Sequence, residues 1–286
     1  MKRGVKDLDV GDKTVLVRVD FNVPVKDGEV TDDTRIRRAL PTIRYLLEEG
    51  ARPVLISHLG RPKGEPDRMY ALDPVATRLQ ELLGEPVEKL DAAVGPEVVE
   101  ALDDWDGRGV VLLENSRFYP GETSNDPGFA DQLAALADVY VDDAFGAAHR
   151  AHATTVGVPE RMPAAAGLLM EEEIDYLDKV LEDPERPFVA ILGGAKVSDK
   201  LGVIRSLLGT ADTLLIGGAM GFTFFEAKGY EIGNSLVEED YLEEAKRLME
   251  EAGDRLVLPV DVVIADTMEE GAESETVAVD GIPSGK

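Results

Sequence analysis

The sequence predicts an α/β protein built from two doubly wound parallel-sheet lobes, Rossmann-like in type and joined by a hinge helix. Short β-branched segments alternate with stretches of helical periodicity, and a break at 182–187 with two prolines interrupts this alternation before it restarts. A chain of 286 residues is long enough for two lobes. We therefore expect a first lobe at 1–166, the hinge helix and linker at 167–187, and a second lobe at 188–286.

The first lobe contains β-branched segments separated by helical patterns. Strands are predicted at 14–19, 53–57, 110–113 and 139–141, and helices at 34–49, 74–83 and 129–137. The pattern pauses at 164–167, and a long acidic helix follows at 171–181. This order of elements predicts a mostly parallel sheet with helices on both faces.

The second lobe repeats the same alternation over a shorter length. Strands are predicted at 188–192, 214–216 and 255–258, and helices at 200–208 and 239–252. Three strands are few for a sheet, so we expect this lobe to be incomplete in the chain.

Composition and charge exclude several classes of protein. The chain has 57 acidic and 30 basic residues and a formal net charge of -27, which disfavours general binding to nucleic acids or membrane surfaces. No apolar run is long enough to span a bilayer, and the charged N-terminus is not followed by the apolar segment of a signal peptide. The absence of cysteine excludes disulfides and thiol catalysis, and three histidines are too few for most His-built zinc sites. We expect a cytoplasmic monomer.

The excess of acidic residues has two interpretations. A lysine-poor, uniformly anionic surface is compatible with a salt-rich cytoplasm, because salt screens the self-repulsion of the fold. The alternative is an ordinary acidic cytosolic protein. We favour the first interpretation and expect a halophilic source.

The loops that follow the strands of the first lobe are rich in arginine. In doubly wound sheets, ligands bind beyond the carboxyl ends of the strands. The candidate ligand-binding residues there are Asp20, Asn22, Arg35, His58, Arg61, Arg117 and Arg150. Guanidinium groups fit carboxylate and phosphate oxygens in pairs, so several of them suit a small, multiply anionic substrate. A single arginine after a strand is more often part of a surface ion pair, but arginines at four strand ends favour a binding site.

The second lobe has a different pattern, made of glycines and lysines. Gly193 and Gly194 follow a strand, and Lys196 and Lys200 are expected to project from one face of the next helix. Glycines let backbone amides approach phosphate oxygens, and a helix N-terminus favours an anion. The alternative is a tight turn before an ordinary solvated helix.

A second pair of glycines follows the next strand of this lobe. Gly217 and Gly218 would leave a flat slot for a planar base, although glycines at such turns often serve packing alone. Neither a Walker pattern nor a Gly-x-Gly-x-x-Gly pattern occurs at these turns, which argues against a P-loop and against a dinucleotide dehydrogenase.

Five segments of the chain closely resemble the motifs of the phosphoglycerate kinase family, in the order of that family. They are Arg18-Val-Asp-Phe-Asn-Val-Pro24, Ser57-His-Leu-Gly-Arg-Pro62, Glu114-Asn-Ser-Arg-Phe118, Ala148-His-Arg-Ala-His152 and Gly193-Gly-Ala-Lys-Val-Ser-Asp-Lys200. The segment 258–263 resembles a further part of the second lobe of that family. The resemblance extends from about residue 6 to the last residue.

The resemblance implies reversible phosphoryl transfer between 1,3-bisphosphoglycerate with ADP and 3-phosphoglycerate with ATP, in glycolysis and gluconeogenesis, by closure of two lobes about a hinge. The phosphoglycerate would bind Asp20, Asn22, Arg35, His58, Arg61, Arg117 and Arg150. Lys200 would hold nucleotide phosphate, beside the glycines at 193, 194, 217 and 218 already identified at the strand ends, and Lys196 and Arg35 would stabilise the transferred phosphoryl group. Mg²⁺ would accompany ATP or ADP, with no metal ligand from this chain.

Members of the family continue beyond the equivalent of residue 286 with further nucleotide-binding segments. The resemblance therefore implies an incomplete nucleotide-binding lobe, and we expect this chain to bind phosphoglycerate better than it turns it over. Combined with the acidity, it leads us to expect a halophilic archaeon as the source. The rival hypothesis is a non-catalytic protein that binds small anions on the same fold.

Overall fold

The computed structural model describes residues 3–62, 66–182, 184–267 and 269–286. The chain divides into two compact units, Met1–Leu177 (unit 1) and Asp178–Lys286 (unit 2). The division falls within the helix predicted as the hinge, which spans Leu168–Glu182 rather than 171–181. The predicted boundaries at 166/167 and 187/188 lie on either side of it and stay predictions. No helix in the described ranges is long and apolar enough to span a bilayer.

Unit 1 is a six-stranded sheet with helices and one small hairpin. Its strands are β1 Thr14–Arg18, β2 Val25–Lys26, β3 Glu29–Val30, β4 Arg52–Ile56, β5 Val87–Lys89, β6 Val110–Leu112, β7 Val139–Asp142 and β8 Ala164–Ala166. Its helices are α1 Thr34–Glu48, α2 Asp73–Leu83, α3 Pro96–Asp104, α4 Pro120–Thr123, α5 Pro127–Ala134 and α6 Phe145–Ala148, and α7 Leu168–Glu182 begins in unit 1 and ends in unit 2. Single 3₁₀ turns include Ser116–Phe118, and a π turn covers Ala153–Gly157.

The large sheet of unit 1 is parallel throughout, in the order β5-β6-β4-β1-β7-β8. Its two faces support separate apolar cores, since Val15 and Val17 of β1 pack with α1 and α2, whereas Leu16 packs with α3 and α5. Successive residues of a strand point to opposite faces, so this division confirms the predicted helices on both faces. The fold is α/β, as predicted.

Several elements of unit 1 differ from the sequence prediction. The segment 164–167, interpreted as a pause, contains the edge strand β8, which pairs with β7. Three alanines have no β-branched side chain, so the pattern could not indicate a strand there. Strand β5, helix α3 and the β2–β3 hairpin were also not predicted.

Unit 2 contains the three predicted strands in a parallel sheet of order β11-β10-β9, with β9 Val189–Gly193, β10 Thr213–Gly217 and β11 Leu256–Val257. Its helices are α8 Leu201–Thr210, α9 Met220–Ala227 and α10 Leu242–Ala252. An unpredicted antiparallel hairpin follows, made of β12 Asp261–Ala265 and β13 Ser274–Ala278. Ile204, Phe224 and Leu248 of the three helices pack with Leu214 of β10 in one core.

Candidate active site

The sheet order of unit 1 places the arginine-rich loops next to one another. Strands β6, β4, β1 and β7 are neighbours and parallel, so their carboxyl ends share one edge of the sheet. The predicted residues at this edge, which we name the arginine site, are Asp20, Asn22, Arg35, His58, Arg61, Arg117 and Arg150. The topology therefore brings together residues that are up to 130 positions apart in the chain.

Asp20 and Arg35 form an ion pair at the start of α1. Arg35 Nη1 lies 2.6 Å from Asp20 Oδ2, and the arginine side chain is half exposed. A β-carbon on Gly146 would lie 2.7 Å from the same carboxylate oxygen, so only glycine allows this close approach. Asp20 thus holds the Arg35 guanidinium at the edge of the sheet while leaving it accessible to a ligand.

Asn22 and Arg117 hold the loop after β4 through the backbone of Gly60. The Gly60 N–H donates to Asn22 Oδ1 at 2.9 Å, and Arg117 Nη1 donates to the Gly60 carbonyl at 2.7 Å. Gly60 has a φ of +63°, which glycine adopts without strain. Arg61 follows directly and its side chain is exposed. The loop is therefore fixed on both sides of the glycine, next to the residue that faces solvent.

His58 is buried and surrounded by cationic groups. Arg18 Nη2 lies 2.8 Å from His58 Nδ1, and the ring is 5% exposed. Burial and the charges of Arg18, Arg117, Arg150 and Arg35 lower the pKa of His58 to about 2. His58 is therefore neutral at physiological pH. It contributes a hydrogen bond rather than a charge.

Arg117 combines burial with an incomplete set of hydrogen bonds. Within the described part of the chain its Nε atom has no hydrogen-bond partner, although Nη1 donates to the Gly60 carbonyl. Burial lowers its pKa, and the nearby charges of Arg150, Arg18 and Arg61 act in the same direction. Arg150 is half-buried and its carbonyl accepts a hydrogen bond from Thr155 Oγ1 at 2.6 Å. The cationic forms of these arginines repel one another, so an anion at this edge would relieve the repulsion.

A buried polar network behind the arginine site was not identified from the sequence. The Arg18 side chain is completely buried, and its Nε atom donates to Thr154 Oγ1 at 2.9 Å. Thr154 in turn donates to Glu122, from Oγ1 to Oε1 at 2.6 Å and from its N–H to Oε2 at 3.0 Å. The signal that could have indicated this network is the charged Arg18 at the end of an apolar strand, since a buried charge needs partners.

A second carboxylate, Glu114, stabilises the loop that leads into Arg117. Glu114 accepts from the N–H groups of Leu72 and Asn115 at 3.1 and 2.7 Å, and Lys89 Nζ lies 2.7 Å from its other oxygen. The Asn115 amide donates to the carbonyls of Leu59 and Tyr70. Glu114 and Asn115 therefore connect the loop after β6 to the loop that carries His58 and Arg61.

Asp143 lies between β7 and α7. Its Oδ1 accepts from the N–H groups of Leu169 and Met170 at 3.0 and 3.3 Å, while Oδ2 has no hydrogen-bond partner among the residues that the structure describes. Burial raises the pKa of Asp143 to about 6, in spite of hydrogen bonds from Thr42 and the two amides. Asp143 was not among the predicted site residues.

In unit 2 the predicted glycines lie against one another at two adjacent strand ends. Gly193 and Gly217 are partners in the register of β9 and β10, and Met220 donates its N–H to the Gly194 carbonyl at 2.9 Å. Gly218 has a φ of +70°, and a β-carbon there would lie 2.8 Å from the Gly194 oxygen. The segment 193–200, which we name the glycine–lysine loop, therefore begins on a surface formed by four glycines.

The two lysines of this loop do not share a helix face, which corrects the sequence prediction. Lys196 precedes a 3₁₀ turn at Ser198–Lys200, and α8 begins only at Leu201. Lys196 is exposed, whereas Lys200 is half-buried, with its Cε atom 3.6 Å from the position of a β-carbon on Gly194. The four-residue spacing suggested a helical turn, but the glycines extend the chain into a loop. The side chain of Lys200 lies over the glycine turn, and that of Lys196 extends into solvent.

Glu238 anchors the turn between the two lysines. Ser198 donates to it from Oγ at 2.6 Å and from its N–H at 3.0 Å. Val197, also in this turn, is fully buried. Burial opposes the ionisation of Glu238, but the hydrogen bonds from Ser198 and Val197 and the charge of Lys196 outweigh it and lower its pKa. Its carboxylate therefore stabilises both the turn and the adjacent lysine charge.

Comparison with known proteins identifies the family of the chain. The family model of phosphoglycerate kinase matches residues 5–286. A phosphoglycerate kinase of Rubrobacter xylanophilus is 74% identical over 284 residues, which cover 99% of this chain and 72% of the relative. The chain belongs to the phosphoglycerate kinase family.

Further phosphoglycerate kinases support the same assignment. The protein of Moorella thermoacetica is 58% identical over 287 residues, covering 99% of this chain and 73% of its own length. The phosphoglycerate kinase structure from Coxiella burnetii has a TM-score of 0.85 at 38% identity and covers 100% of this chain and 73% of its own. The structure from Pyrococcus horikoshii OT3 has a TM-score of 0.79 at 32% identity, covering 97% and 71%. The protein is a kinase of glycolysis that transfers a phosphoryl group reversibly between 1,3-bisphosphoglycerate with ADP and 3-phosphoglycerate with ATP. The rival hypothesis of a non-catalytic anion-binding protein finds no support in these comparisons.

Proposed function

We propose that the arginine site binds the phosphoglycerate and that the glycine–lysine loop binds the nucleotide phosphates. The observation that carries the first assignment is the convergence of Arg35, Arg61, Arg117 and Arg150 at one sheet edge, around a neutral His58. A molecule with a phosphate at one end and a carboxylate at the other offers enough anionic oxygens for several guanidinium groups.

The arrangement suits a reaction that needs no general base. The carboxylate of 3-phosphoglycerate is already ionised at neutral pH, so it can attack the γ-phosphorus of ATP directly. A bond forms between a carboxylate oxygen and phosphorus, the bond to the ADP oxygen breaks, and no proton is transferred. Catalysis then depends on in-line positioning and on stabilising the charge of the transferred phosphoryl oxygens.

We assign that stabilisation to Arg35 and Lys196. Arg35 is oriented by Asp20 and half exposed, and Lys196 is exposed on the glycine–lysine loop. Both side chains can therefore contact a ligand without disrupting the packing of an apolar core. We further propose α7 as the hinge about which the two units close, which would exclude water and suppress the hydrolysis of ATP.

On the nucleotide side, Lys200 and the backbone at Gly193 and Gly194 would bind phosphate, and Gly217 with Gly218 would leave room for the planar base. Mg²⁺ enters this proposal as part of the nucleotide substrate. In the described ranges, no group of three or more histidine or carboxylate side chains is placed to hold a metal ion.

Three further assignments belong to the same proposal: a monomer, a cytoplasmic location and a halophilic source. The last rests on the net charge of -27. It predicts that activity and stability increase with KCl concentration, because screening reduces the self-repulsion of an anionic surface.

The experiment is a coupled assay of 3-phosphoglycerate-dependent ATP consumption on this chain, in low and high KCl. Arg61→Gln should raise the KM for 3-phosphoglycerate alone, and Lys200→Gln should raise the KM for ATP alone. Arg108→Gln and Lys246→Met are matched controls, since both side chains are exposed and form ion pairs away from the two sites. Equal changes in both KM values for either site variant would contradict the division of roles.

A further inference from the structure

The buried network behind the arginine site has one direction of hydrogen bonding. An arginine side chain has donors only, so Arg18 Nη2 must donate to His58 Nδ1 and Arg18 Nε must donate to Thr154 Oγ1. Thr154 Oγ1 therefore accepts from Arg18 and has its own proton free to donate to Glu122 Oε1. Reversing any one of these bonds would leave a buried donor facing another donor.

This direction determines the tautomer of His58. A neutral imidazole carries one proton, and Nδ1 is occupied as an acceptor, so the proton lies on Nε2. We propose that Glu122, Thr154 and Arg18 are positioning residues that hold His58 as the Nε2–H tautomer, so that His58 offers a hydrogen-bond donor to the anionic substrate. The proposal rests on the assignment of the arginine site to phosphoglycerate.

Burial makes the network a positioning device rather than a binding surface. Arg18, Thr154 and Glu122 are completely buried, so none of them touches a ligand. Burial opposes the ionisation of Glu122, but His152, the Arg18 guanidinium and the hydrogen bonds from Thr154 lower its pKa. Glu122 is therefore an anion that compensates the buried Arg18 charge and fixes the orientation of the threonine hydroxyl.

The opposite tautomer would be a poor choice for this substrate. With its proton on Nδ1, His58 would present the Nε2 lone pair to a carboxylate or phosphate oxygen, and two acceptors would face each other. A doubly protonated ring would add another cation beside Arg117, Arg150 and Arg35. A neutral ring with a fixed donor avoids both problems.

The test is nitrogen NMR of the full chain with ¹⁵N-labelled histidine at pH 7.5, without ligand. The chain has three histidines, so the ring signals can be assigned with single His variants. In the parent, His58 should be protonated at Nε2 only. In Thr154→Val, which removes the hydroxyl at nearly constant volume, Arg18 loses the acceptor of its Nε–H and is no longer held against His58 Nδ1, so the signals should move to a mixture of tautomers. Thr154→Ser, which keeps the hydroxyl, should restore the parent spectrum.

The kinetic readout distinguishes positioning from a general loss of structure. Thr154→Val should raise the KM for 3-phosphoglycerate by about tenfold, as expected for one misplaced buried hydrogen bond, and leave the KM for ATP unchanged. The fluorescence of Trp105 reports the folding of unit 1. If Thr154→Val folds poorly, Glu122→Gln is the second variant. Glu122→Gln should shift the His58 tautomer and the KM for 3-phosphoglycerate in the same direction as Thr154→Val.

An unchanged His58 tautomer in both folded variants would overturn the proposal, as would a parent ring protonated at Nδ1. Failure of the substrate assignment would look different. In that case 3-phosphoglycerate would leave the His58 signals of the parent unmoved, while the ligand-free spectra would still decide how the tautomer is set.

Discussion

In unit 1 the arginine site includes buried side chains, His58 and Arg117, that are held by hydrogen bonds to other side chains and to the backbone, whereas the glycine–lysine loop of unit 2 is shaped by its backbone. His58, Arg117 and the network behind them are almost inaccessible to solvent. Lys196 is exposed, and four glycines form the surface on which its loop begins. The free-energy cost of a cationic side chain therefore differs between the two regions, because desolvation penalises a buried cation and hardly affects an exposed one.

This difference indicates at which residues the group needed for function lowers the free energy of unfolding. Substitution of the exposed Lys196 in the glycine–lysine loop should change activity without changing stability. A substitution of a buried residue in the arginine site, such as His58 or Arg117, should change both, and in some cases in opposite directions.

The largest effect is expected for Lys196→Met. Because Lys196 is exposed and would act only on the transferred phosphoryl group, kcat should fall by about 10² to 10³ while the unfolding transition stays unchanged. The measurement is the coupled kinase assay combined with urea unfolding followed by circular dichroism. Lys246→Met, at an exposed lysine paired with Glu243, is the control and should keep full activity. A large loss of stability in Lys196→Met would break the contrast between the two regions.

The next largest effect concerns the pH dependence of Asp143. Its pKa is raised to about 6, so between pH 4 and pH 6 the folded state holds a proton that the unfolded state has released. Stability from this group is therefore present at low pH and lost as the pH rises toward 6. Relative to the parent, Asp143→Asn should gain roughly 2 to 3 kcal/mol between pH 4 and pH 7, and nothing more above.

The single tryptophan makes this measurement specific to unit 1, because Trp105 is buried there. Urea unfolding followed by Trp105 fluorescence at several pH values gives the difference between the variant and the parent. Asp106→Asn is a control of opposite sign, since hydrogen bonds from the Arg108 side chain and N–H lower the pKa of the exposed Asp106 carboxyl. A constant difference for Asp143→Asn across this pH range would refute a raised pKa.

The sequence was sufficient to predict the central strands, because β1, β4, β6 and β7 are continuous apolar segments. It failed at both edges of the same sheet. Strand β5 contains two charged residues and strand β8 consists of three alanines. Edge strands face less of the core, so they do not need the apolar, β-branched residues by which a strand is predicted. Tertiary pairing, rather than local preference, makes these segments strands.

The site shows the same limit. Arginine and histidine at strand ends could be found because parallel topology carries every strand end to one edge. The Arg18–Thr154 bond joins residues 136 positions apart, and no local pattern specifies it. In the glycine–lysine loop, spacing alone placed Lys196 and Lys200 on a helix, whereas the glycines and the buried Val197 fix an open turn.

Gly218→Ala tests whether the backbone determines the nucleotide side. Its φ of +70° and the Gly194 oxygen 2.8 Å from a new β-carbon leave no unstrained position for alanine. We expect a loss of about 2 kcal/mol in the stability of unit 2 and a higher KM for ATP. Hydrogen exchange of peptides from β9 and β10 measures the loss locally. Gly209→Ala is the control, because its β-carbon would meet nothing within 4 Å and alanine favours a helix. Equal exchange in the two variants would contradict the prediction.

The smallest effect, and the sharpest test of the contrast, is a gain in stability on losing a binding residue. Arg117 is buried and is repelled by Arg150, Arg18 and Arg61, and its Nε has no partner in the ranges that the structure describes. Arg117→Met should therefore raise the unfolding free energy of unit 1 by about 1 kcal/mol, measured by Trp105 fluorescence, while the KM for 3-phosphoglycerate rises more than tenfold. Arg117→Lys keeps the charge without the planar fork, so it should raise the KM and gain no stability. A loss of stability in Arg117→Met would mean that the hydrogen bond to the Gly60 carbonyl outweighs the repulsion. The arginine site would then be stabilised by its side-chain contacts, and it would no longer differ from the glycine–lysine loop in carrying a penalty for function.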